Sequence, residues 1–301
     1  MSILSKGDLV DVVAPSYGDF DVSEEQIKQV LEYLGLKARI PKNLQKKNAD
    51  FFSAHNLEMR SKHFINAITA KDSKAIWCLR GGYGAAKIVP ELEKINLSKH
   101  NKPIIGYSDI TALHLYLSSK YDFRTVHGRN LSEFFTKKIS SIEKENITSL
   151  LFENGFDLKM MPLNTYAKKE SLNIEAAIIG GNLTLVTNSL ATDWQISTKD
   201  KILLLEDAFE EKYRIDRSLN HLYQAGVFDK VKAVIFGDIE LKEEKSQNTR
   251  GLDVEEFIMD FIKKLNVPVY HTPQIGHGKI NNPVVFGNTY AIQNSILRFQ
   301  V

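Results

Sequence analysis

Ser108 is the residue whose type and position most favour nucleophilic chemistry in this sequence. It follows an apolar, strand-like segment within Gly106-Tyr-Ser-Asp109 and precedes a helix predicted over 110–119. A sharp strand-to-helix turn holds a serine hydroxyl clear of the backbone, next to unpaired N–H groups that can stabilise an oxyanion. The match to the G-x-S-x-G elbow is partial, because Ile110 stands two residues after the serine. On this motif alone, capping of the helix by Ser108 or Asp109 is the favoured interpretation.

A base and an acid for this serine follow two later strand-like segments. The segment Lys201–Leu205 ends in Glu206-Asp207, so two carboxylates stand at a sheet edge, where one of them can orient an imidazole. His277 stands between two glycines, which leaves its ring accessible. We therefore predict Glu206 as the acid and His277 as the base, with His127 as the second choice of base. The sequence has no H-x-x-x-H or C-x-x-C spacing, so we expect no metal and no other cofactor.

The glycine-rich segment Arg80-Gly-Gly-Tyr-Gly84 follows another predicted strand and precedes a predicted helix. Exposed backbone N–H groups in such a loop can bind an anion. The segment lacks the lysine of a Walker A loop and the third glycine of a dinucleotide-binding fingerprint. An N–H group of this loop would then complete an oxyanion hole with the N–H of Asp109. A tight turn that allows close helix packing is an equally supported interpretation.

The order of predicted elements indicates an α/β fold. Strand-like segments in the first half lie at 8–14, 75–79 and 103–106, between helix-like segments at 23–35, 56–70 and 84–94. In the second half, strands are predicted at 176–179, 201–205, 231–236, 267–270 and 296–301, and helices at 183–191, 214–225 and 253–265. This alternation predicts parallel sheets with helices on both faces and a site beyond the carboxyl ends of the strands.

The same pattern divides the chain into two domains. We predict a nucleophile domain over 1–145, a connection over 146–172 and a second α/β domain over 173–301 that carries Glu206 and His277. Because Gly81, Gly82 and Ser108 all follow strands of the first domain, we expect them to share one cleft.

Composition excludes several classes of partner. The chain has 301 residues, 39 of them basic and 37 acidic, and its net charge of +2 predicts no binding to nucleic acid or to a membrane. Its single cysteine, Cys78, lies in an apolar run and is expected to be a buried, inert thiol. The first residues show no secretion signal, and no apolar run is long enough to span a bilayer, so a cytoplasmic location is expected.

Taken together, the motifs resemble those of the LD-carboxypeptidases, peptidase family S66. The resemblance extends over nearly the whole chain. It rests on Val13-Ala-Pro-Ser16, Arg80-Gly-Gly-Tyr-Gly84, Gly106-Tyr-Ser-Asp109, Gly180-Gly-Asn-Leu183, Leu205-Glu-Asp207, Tyr213-Arg-Ile-Asp-Arg217 and Gly276-His-Gly278.

The resemblance implies a serine peptidase with a Ser108-Glu206-His277 triad. It implies a flavodoxin-like N-terminal domain with Ser108, a swivelling-type C-terminal domain with the other two residues, and the active site between them. The oxyanion hole would consist of the N–H groups of Gly82 and Asp109. The implied reaction is hydrolysis of the L,D-amide between meso-diaminopimelate and the terminal D-alanine of murein tetrapeptide in cell-wall recycling. The family also implies a homodimer.

An exopeptidase of this kind must bind the free carboxylate of its substrate. The cations near the motif loops are Arg80, Arg129 and Lys279, and Tyr83 lies in the same glycine-rich segment. Each cation is equally well explained by a surface salt bridge. Family members often have His-Gly-Pro where this chain has His127-Gly-Arg129, so the Arg129 loop is expected to border the substrate pocket and to affect specificity.

Two alternatives to this function keep the same cleft. One is an immunity-type peptidase that cleaves a peptidyl- or aminoacyl-nucleotide, which would need an aromatic platform for the base. Trp194, Phe134 and Phe135 could supply that platform, although packing in the core is the favoured interpretation of all three. The other is a two-domain ligand-binding protein without enzymatic activity.

Overall fold

Two β-sheets with helices packed against them form the framework of the protein. The computed structural model describes residues 2–47, 49–50, 53–169, 172–242 and 254–299. Its mixed α/β, two-domain architecture with parallel-sheet regions confirms the predicted fold class. None of the helices in these ranges is long and apolar enough to cross a membrane.

The first half of the chain alternates strands and helices as predicted. Its elements are β1 Leu9–Val13, α1 Glu24–Tyr33, β2 Lys37–Arg39, α2 Leu57–Thr69, β3 Ala75–Cys78, α3 Val89–Leu92, β4 Ile104–Gly106, α4 Thr111–Tyr121, β5 Thr125–His127, α5 Glu133–Thr136 and α6 Ser141–Phe152. Short 3₁₀ turns at Ala85–Ile88 and Ser108–Ile110 precede α3 and α4. A capping box is present at the start of α1, with Ser23 and Gln26 satisfying each other's backbone N–H groups.

The second half contains more strands than the sequence pattern predicts. Its elements are β6 Asp157–Lys159, β7 Met161–Pro162, β8 Asn173–Asn182, α7 Leu183–Asn188, β9 Ile202–Glu210, α8 Lys212–Gln224, β10 Ala233–Leu241, α9 Val254–Ile262, β11 Val269–His271, β12 Val284–Phe286, β13 Thr289–Gln293 and β14 Ile296–Arg298. The first residue of the predicted helix 253–265 and the last two of the predicted strand 296–301 lie outside the described residues.

The first sheet has the strand order β12-β5-β4-β3-β1-β2. The five strands β1 to β5 are parallel to one another, and β3 and β4 are buried along their whole length. Parallel strands end at the same edge of a sheet, so the loops that follow β1, β3 and β4 meet there. Those loops carry Ser16, the glycine-rich segment and Ser108.

The second sheet has the order β6-β14-β13-β8-β9-β10-β11-β7. Its centre, β8 to β11, is parallel, and antiparallel strands extend it on both sides. Glu206 lies in the long strand β9, and His277 lies in the loop after β11. The parallel centre of the sheet thus places both residues at its carboxyl edge.

The sheets do not follow the predicted domain boundaries. Strand β12 belongs to the predicted domain 173–301, yet it pairs antiparallel with β5 and completes the first sheet. In the predicted connection 146–172, β6 and β7 pair with β14 and β11 and join the second sheet. Strands of two or three residues are too short to show the alternation on which sequence prediction depends.

Candidate active site

Ser108 occupies a strained turn between β4 and α4. Its φ of 65° lies in the left-handed region, which costs a residue with a side chain free energy and turns the chain sharply. The helix starts here without a side-chain cap, so neither Ser108 nor Asp109 has the capping role that the sequence favoured. A Cβ at Gly81 would lie 3.0 Å from the Cβ of Ser108, so a side chain there would crowd the turn that carries Ser108.

Glu206 and His277 are in direct contact. Nδ1 of His277 and Oε2 of Glu206 are 2.6 Å apart, which is a short, charge-assisted hydrogen bond. The backbone at Gly276 passes so close to the carboxylate that a Cβ there would lie 2.8 Å from Oε2. The two residues that the sequence proposed as acid and base are therefore brought together from positions 206 and 277.

The electrostatics of this pair favour a charged carboxylate and a basic imidazole. Burial opposes the charge on Glu206, which is fully buried, but the neighbouring His277 outweighs it and lowers the pKa of the carboxyl. Burial likewise opposes the charge on His277, but the Glu206 carboxylate outweighs it and raises the pKa of the imidazole. Such a pair suits a histidine that must accept a proton and hold it briefly.

Ser108 and His277 line one cavity of about 630 Å³ between the two sheets. Gly81 and Gly82 line it as well, which confirms the prediction that the glycine-rich segment and Ser108 share a cleft. The other residues around the cavity come from both domains and include Tyr17, Asp19, Asp21, Arg80, Tyr107, Asn130, Ser132, Glu133, Lys137, Asn182, Thr184, Asp207, Phe209 and Glu210.

Tyr107 supports the imidazole from the side of the first domain. Its ring centre lies 4.7 Å from that of His277, and its hydroxyl donates to Oε1 of Glu133 at 2.6 Å. Lys137 pairs with the same carboxylate at 2.6 Å. Sequence reasoning did not find this network. Tyr107 stands within the Gly-Tyr-Ser-Asp motif, but nothing in the sequence singles out Glu133 or Lys137 beyond their helical i, i+4 spacing.

Asp207 has hydrogen-bond partners other than His277. Its carboxylate accepts hydrogen bonds from Nδ2 of Asn182 at 2.7 Å and from Oγ1 of Thr184 at 2.8 Å. Burial and the nearby Glu206 charge raise the pKa of Asp207 to about 6. Asp207 thus fastens the start of α7 to β9 at the cavity wall, and His277 is hydrogen-bonded to Glu206 alone of the two acids.

The second-choice base, His127, is enclosed in the core. It is fully buried, and burial lowers its pKa to about 4. Neither ring nitrogen has a hydrogen-bond partner among the described residues. It does not line the cavity that holds Ser108. His277, rather than His127, has the accessible ring that a base needs.

Of the residues considered for binding a substrate carboxylate, Arg80 lies in the cavity. Its side chain is half-exposed, and its nearest acid is Asp19 at 3.7 Å. Lys279 is exposed and lines a neighbouring groove that reaches the other side of His277. Tyr83 does not line the cavity; it is exposed, with Nζ of Lys87 4.9 Å from its ring centre.

The expectation that Arg129 could bind the substrate carboxylate is wrong. It is 2% exposed, and its guanidinium forms a two-pronged ion pair with Glu143 and a further bond to the carbonyl of Lys279. A guanidinium held in this way is not available to a substrate. The loop does border the cavity as expected, but through Asn130 and Ser132.

The aromatic side chains proposed as a platform for a base also lie elsewhere. Trp194 is buried in the core, and Phe134 packs edge-on against Trp77. Phe135 is partly buried against the hydrophobic core. The exposed aromatic ring in the cavity is instead that of Phe209, whose φ of 61° is left-handed. No sequence signal pointed to it.

Cys78 is a buried free thiol, and burial raises its pKa, as expected for an inert residue. Across the described ranges, no three histidine, cysteine or acidic side chains converge in a way that could hold a metal ion.

Comparison with protein families identifies the chain. Residues 10–128 match the LD-carboxypeptidase N-terminal domain, and residues 175–292 match the LD-carboxypeptidase C-terminal domain. The chain belongs to the LD-carboxypeptidase family. The resemblance seen in the sequence is thereby confirmed, and this family member is a peptidase rather than the non-enzymatic binding protein considered as an alternative.

Several relatives of this LD-carboxypeptidase family member are known. A provisionally named carboxypeptidase of Rickettsia conorii is 36% identical, over 95% of this chain and 88% of its own. The murein tetrapeptide carboxypeptidase of Pseudomonas aeruginosa is 27% identical, over 93% of this chain and 91% of its own. Among solved structures, MccF in complex with glutamyl sulfamoyl guanosine shares the fold, with a TM-score of 0.82 at 21% identity, over 100% of this chain and 98% of its own.

Proposed function

We propose that this protein is a serine-type LD-carboxypeptidase that releases D-alanine from murein tetrapeptide. The observation that carries the proposal is the hydrogen bond between His277 and the buried Glu206, in a cavity that Ser108 also lines. A base oriented by an acid, in the same cavity as a hydroxyl on a strained turn, is the set of groups that nucleophilic catalysis requires. The murein tetrapeptide carboxypeptidase of Pseudomonas aeruginosa supports the choice of substrate.

In the proposed mechanism, Oγ of Ser108 attacks the carbonyl carbon of the L,D-amide while Nε2 of His277 takes the hydroxyl proton. Glu206 holds Nδ1–H of the ring and stabilises the imidazolium that forms. The N–H groups of Gly82 and Asp109 receive the oxyanion. His277 then protonates the amine of D-alanine as the amide bond breaks, which leaves an acyl-enzyme.

Hydrolysis of the acyl-enzyme repeats these steps with water. His277 removes a proton from the water as it attacks the ester carbon, and returns that proton to Oγ of Ser108 when the tripeptide leaves. We propose Arg80 as the group that binds the carboxylate of the terminal D-alanine, because it is the half-exposed arginine of the cavity and its nearest acid is 3.7 Å away.

The decisive experiment follows D-alanine release from murein tetrapeptide by mass spectrometry. Wild-type protein is expected to release it, and Ser108→Ala is not. Ser118→Ala is the matched control, because Ser118 lies on α4 outside the cavity and should retain wild-type activity. A fluorophosphonate, which labels activated serines covalently, should react with the wild type and with Ser118→Ala but not with Ser108→Ala.

An aminoacyl-nucleotide is the second candidate substrate. The complex of MccF with glutamyl sulfamoyl guanosine and the exposed ring of Phe209 in the cavity both favour it. Labelling by the fluorophosphonate without release of D-alanine would shift the proposal to this substrate class. An aminoacyl sulfamoyl adenosine would then be expected to bind, and Phe209→Ala to weaken its binding by about tenfold through loss of base stacking.

The cytoplasmic location stays a prediction from the sequence pattern, and the homodimer stays a prediction from the family resemblance. Sedimentation velocity on the purified protein would measure the second of these.

A further inference from the structure

A fully buried arginine lies beneath the glycine-rich loop, residues 81–84. Arg60, on α2, is 1% exposed. Its Nη1 donates to the carbonyl of Gly84 at 3.0 Å and to that of Pro15, and its Nε donates to the carbonyl of His55 at 3.0 Å. One guanidinium therefore joins the loop after β3 to the loop after β1, close to the carboxyl edge of the first sheet.

The carboxylate of Asp109 holds the same two loops from the other side. Its Oδ2 accepts from the hydroxyl of Ser16 at 2.5 Å and from the N–H of Ala85 at 2.7 Å. Asp109 is itself 3% exposed. The residue after Ser108 is thus bonded through its side chain to the chain that immediately follows Gly84.

Burying the charged groups of Arg60 and Asp109 costs free energy. Burial lowers the pKa of Arg60, opposed by the charges of Asp50 and Asp109, and burial raises the pKa of Asp109 despite its hydrogen bonds. Burying two charges in this way is seldom more stabilising than well-packed apolar side chains of similar volume. Stability alone therefore does not account for this pair of buried groups.

The loop that they hold needs an external restraint. Gly82 and Gly84 have φ values of 112° and 114°, which only glycine adopts freely, and glycine backbones keep the most conformational freedom when they are not held. Tyr17 restrains Gly82 from above, since a Cβ there would lie 2.4 Å from the tyrosine ring. Arg60 and Asp109 restrain the far end of the loop.

We propose that Arg60 and the carboxylate of Asp109 are positioning residues that hold the glycine-rich loop so that its N–H groups receive the oxyanion. We call this pair the loop clamp. The inference rests on the proposed serine mechanism, and it adds that the two halves of the oxyanion hole are mechanically joined. The N–H of Asp109 forms one half, and its carboxylate fixes the loop that carries Gly82, the other half.

The test compares Arg60→Met with Lys102→Met. Lys102 is a matched control, because it is also buried and also donates to backbone carbonyls, but those carbonyls belong to Ala67 and Ala70 at the end of α2 and not to the loops that line the cavity. For each variant, kcat and KM for D-alanine release, the rate of fluorophosphonate labelling and the melting temperature are measured.

Arg60→Met is expected to lower kcat by about 100-fold, because small displacements of a catalytic donor have effects of that size. Its KM should change by less than about threefold, since the clamp does not touch the substrate, and labelling should slow in parallel with kcat. Arg60→Lys should restore part of kcat, because an ammonium can donate to one of the two loop carbonyls, that of Gly84 or that of Pro15. Lys102→Met should have a lower melting temperature and an unchanged kcat.

The clamp is overturned if Arg60→Met keeps the kcat and the labelling rate of Lys102→Met once both are normalised to folded protein. Should Arg60→Met not fold, Asp109→Leu tests the clamp by the same comparison, since it is similar in shape and removes the oxygen that accepts from Ser16 and Ala85. If the wild-type protein is labelled but releases no D-alanine, only the proposed substrate is contradicted. The labelling rates of the variants would then still test the loop clamp. Wild-type protein inactive in both assays would overturn the proposed mechanism and the clamp together.

Discussion

Glu206 and His277 lie 71 residues apart in the chain and 2.6 Å apart in space, with the carboxylate fully buried and the imidazole at the wall of the cavity. Replacing Glu206 removes the hydrogen bond that fixes the tautomer of the imidazole, and replacing His277 removes the base itself. We therefore expect Glu206→Gln and His277→Ala each to lower kcat by about 10⁴-fold with the fold intact. Steady-state kinetics of D-alanine release, with circular dichroism as a check on folding, measure this.

Asp207→Asn is the control for the acid. Its carboxylate bonds to Asn182 and Thr184 rather than to His277, so a smaller loss of kcat is expected. A greater loss in Asp207→Asn than in Glu206→Gln would show that the acid is assigned to the wrong neighbour.

The pH dependence of activity should reflect the raised pKa of His277. The imidazole accepts the serine proton only when it is neutral, so kcat/KM should rise with pH, with its midpoint above the ordinary histidine value of about 6.5. In Glu206→Gln the carboxylate that raises this pKa is gone while burial still lowers it, so the midpoint of the residual activity should move to lower pH. An unchanged midpoint would separate the observed titration from the Glu206–His277 pair.

Strain at Ser108 predicts a trade-off between stability and activity. Because φ is 65° there, Ser108→Gly should unfold at higher urea concentration than Ser108→Ala, by about 1 kcal/mol in the free energy of unfolding. Both variants should be inactive. Equal stability of the two would mean that the turn carries no strain.

Arg80 and Arg129 should respond differently to substitution. Arg80→Ala is expected to raise KM for the tetrapeptide with little change in stability, because its half-exposed side chain lines the cavity. Arg129→Ala should instead lower the free energy of unfolding by about 3–5 kcal/mol, because it leaves the buried Glu143 unpaired. Urea unfolding and KM, measured on both variants, distinguish the roles. A raised KM in a fully stable Arg129→Ala would return that residue to the substrate site.

The sequence by itself determined the local framework and the catalytic candidates. Short apolar runs between helical segments predicted most of the parallel strands. A strand that is buried on both faces is apolar along its whole length, so it stands out in the sequence. Ser108, Glu206 and His277 were each visible because motifs at strand ends do not depend on distant partners. The charge balance predicted no binding to nucleic acid or membrane, and the single cysteine was expected to be a buried, inert thiol.

Only the tertiary structure decided which of these residues meet and which groups are free. The pairing of His277 with Glu206 rather than Asp207 depends on how β9 faces the loop after β11. Arg129, in the loop after β5, was expected to bind substrate, but the structure pairs it with Glu143 of α6. Strand β12 crosses to the first sheet, a pairing between residues more than 150 positions apart. Contacts of this range depend on the packing of whole elements, which no local pattern of residue types encodes.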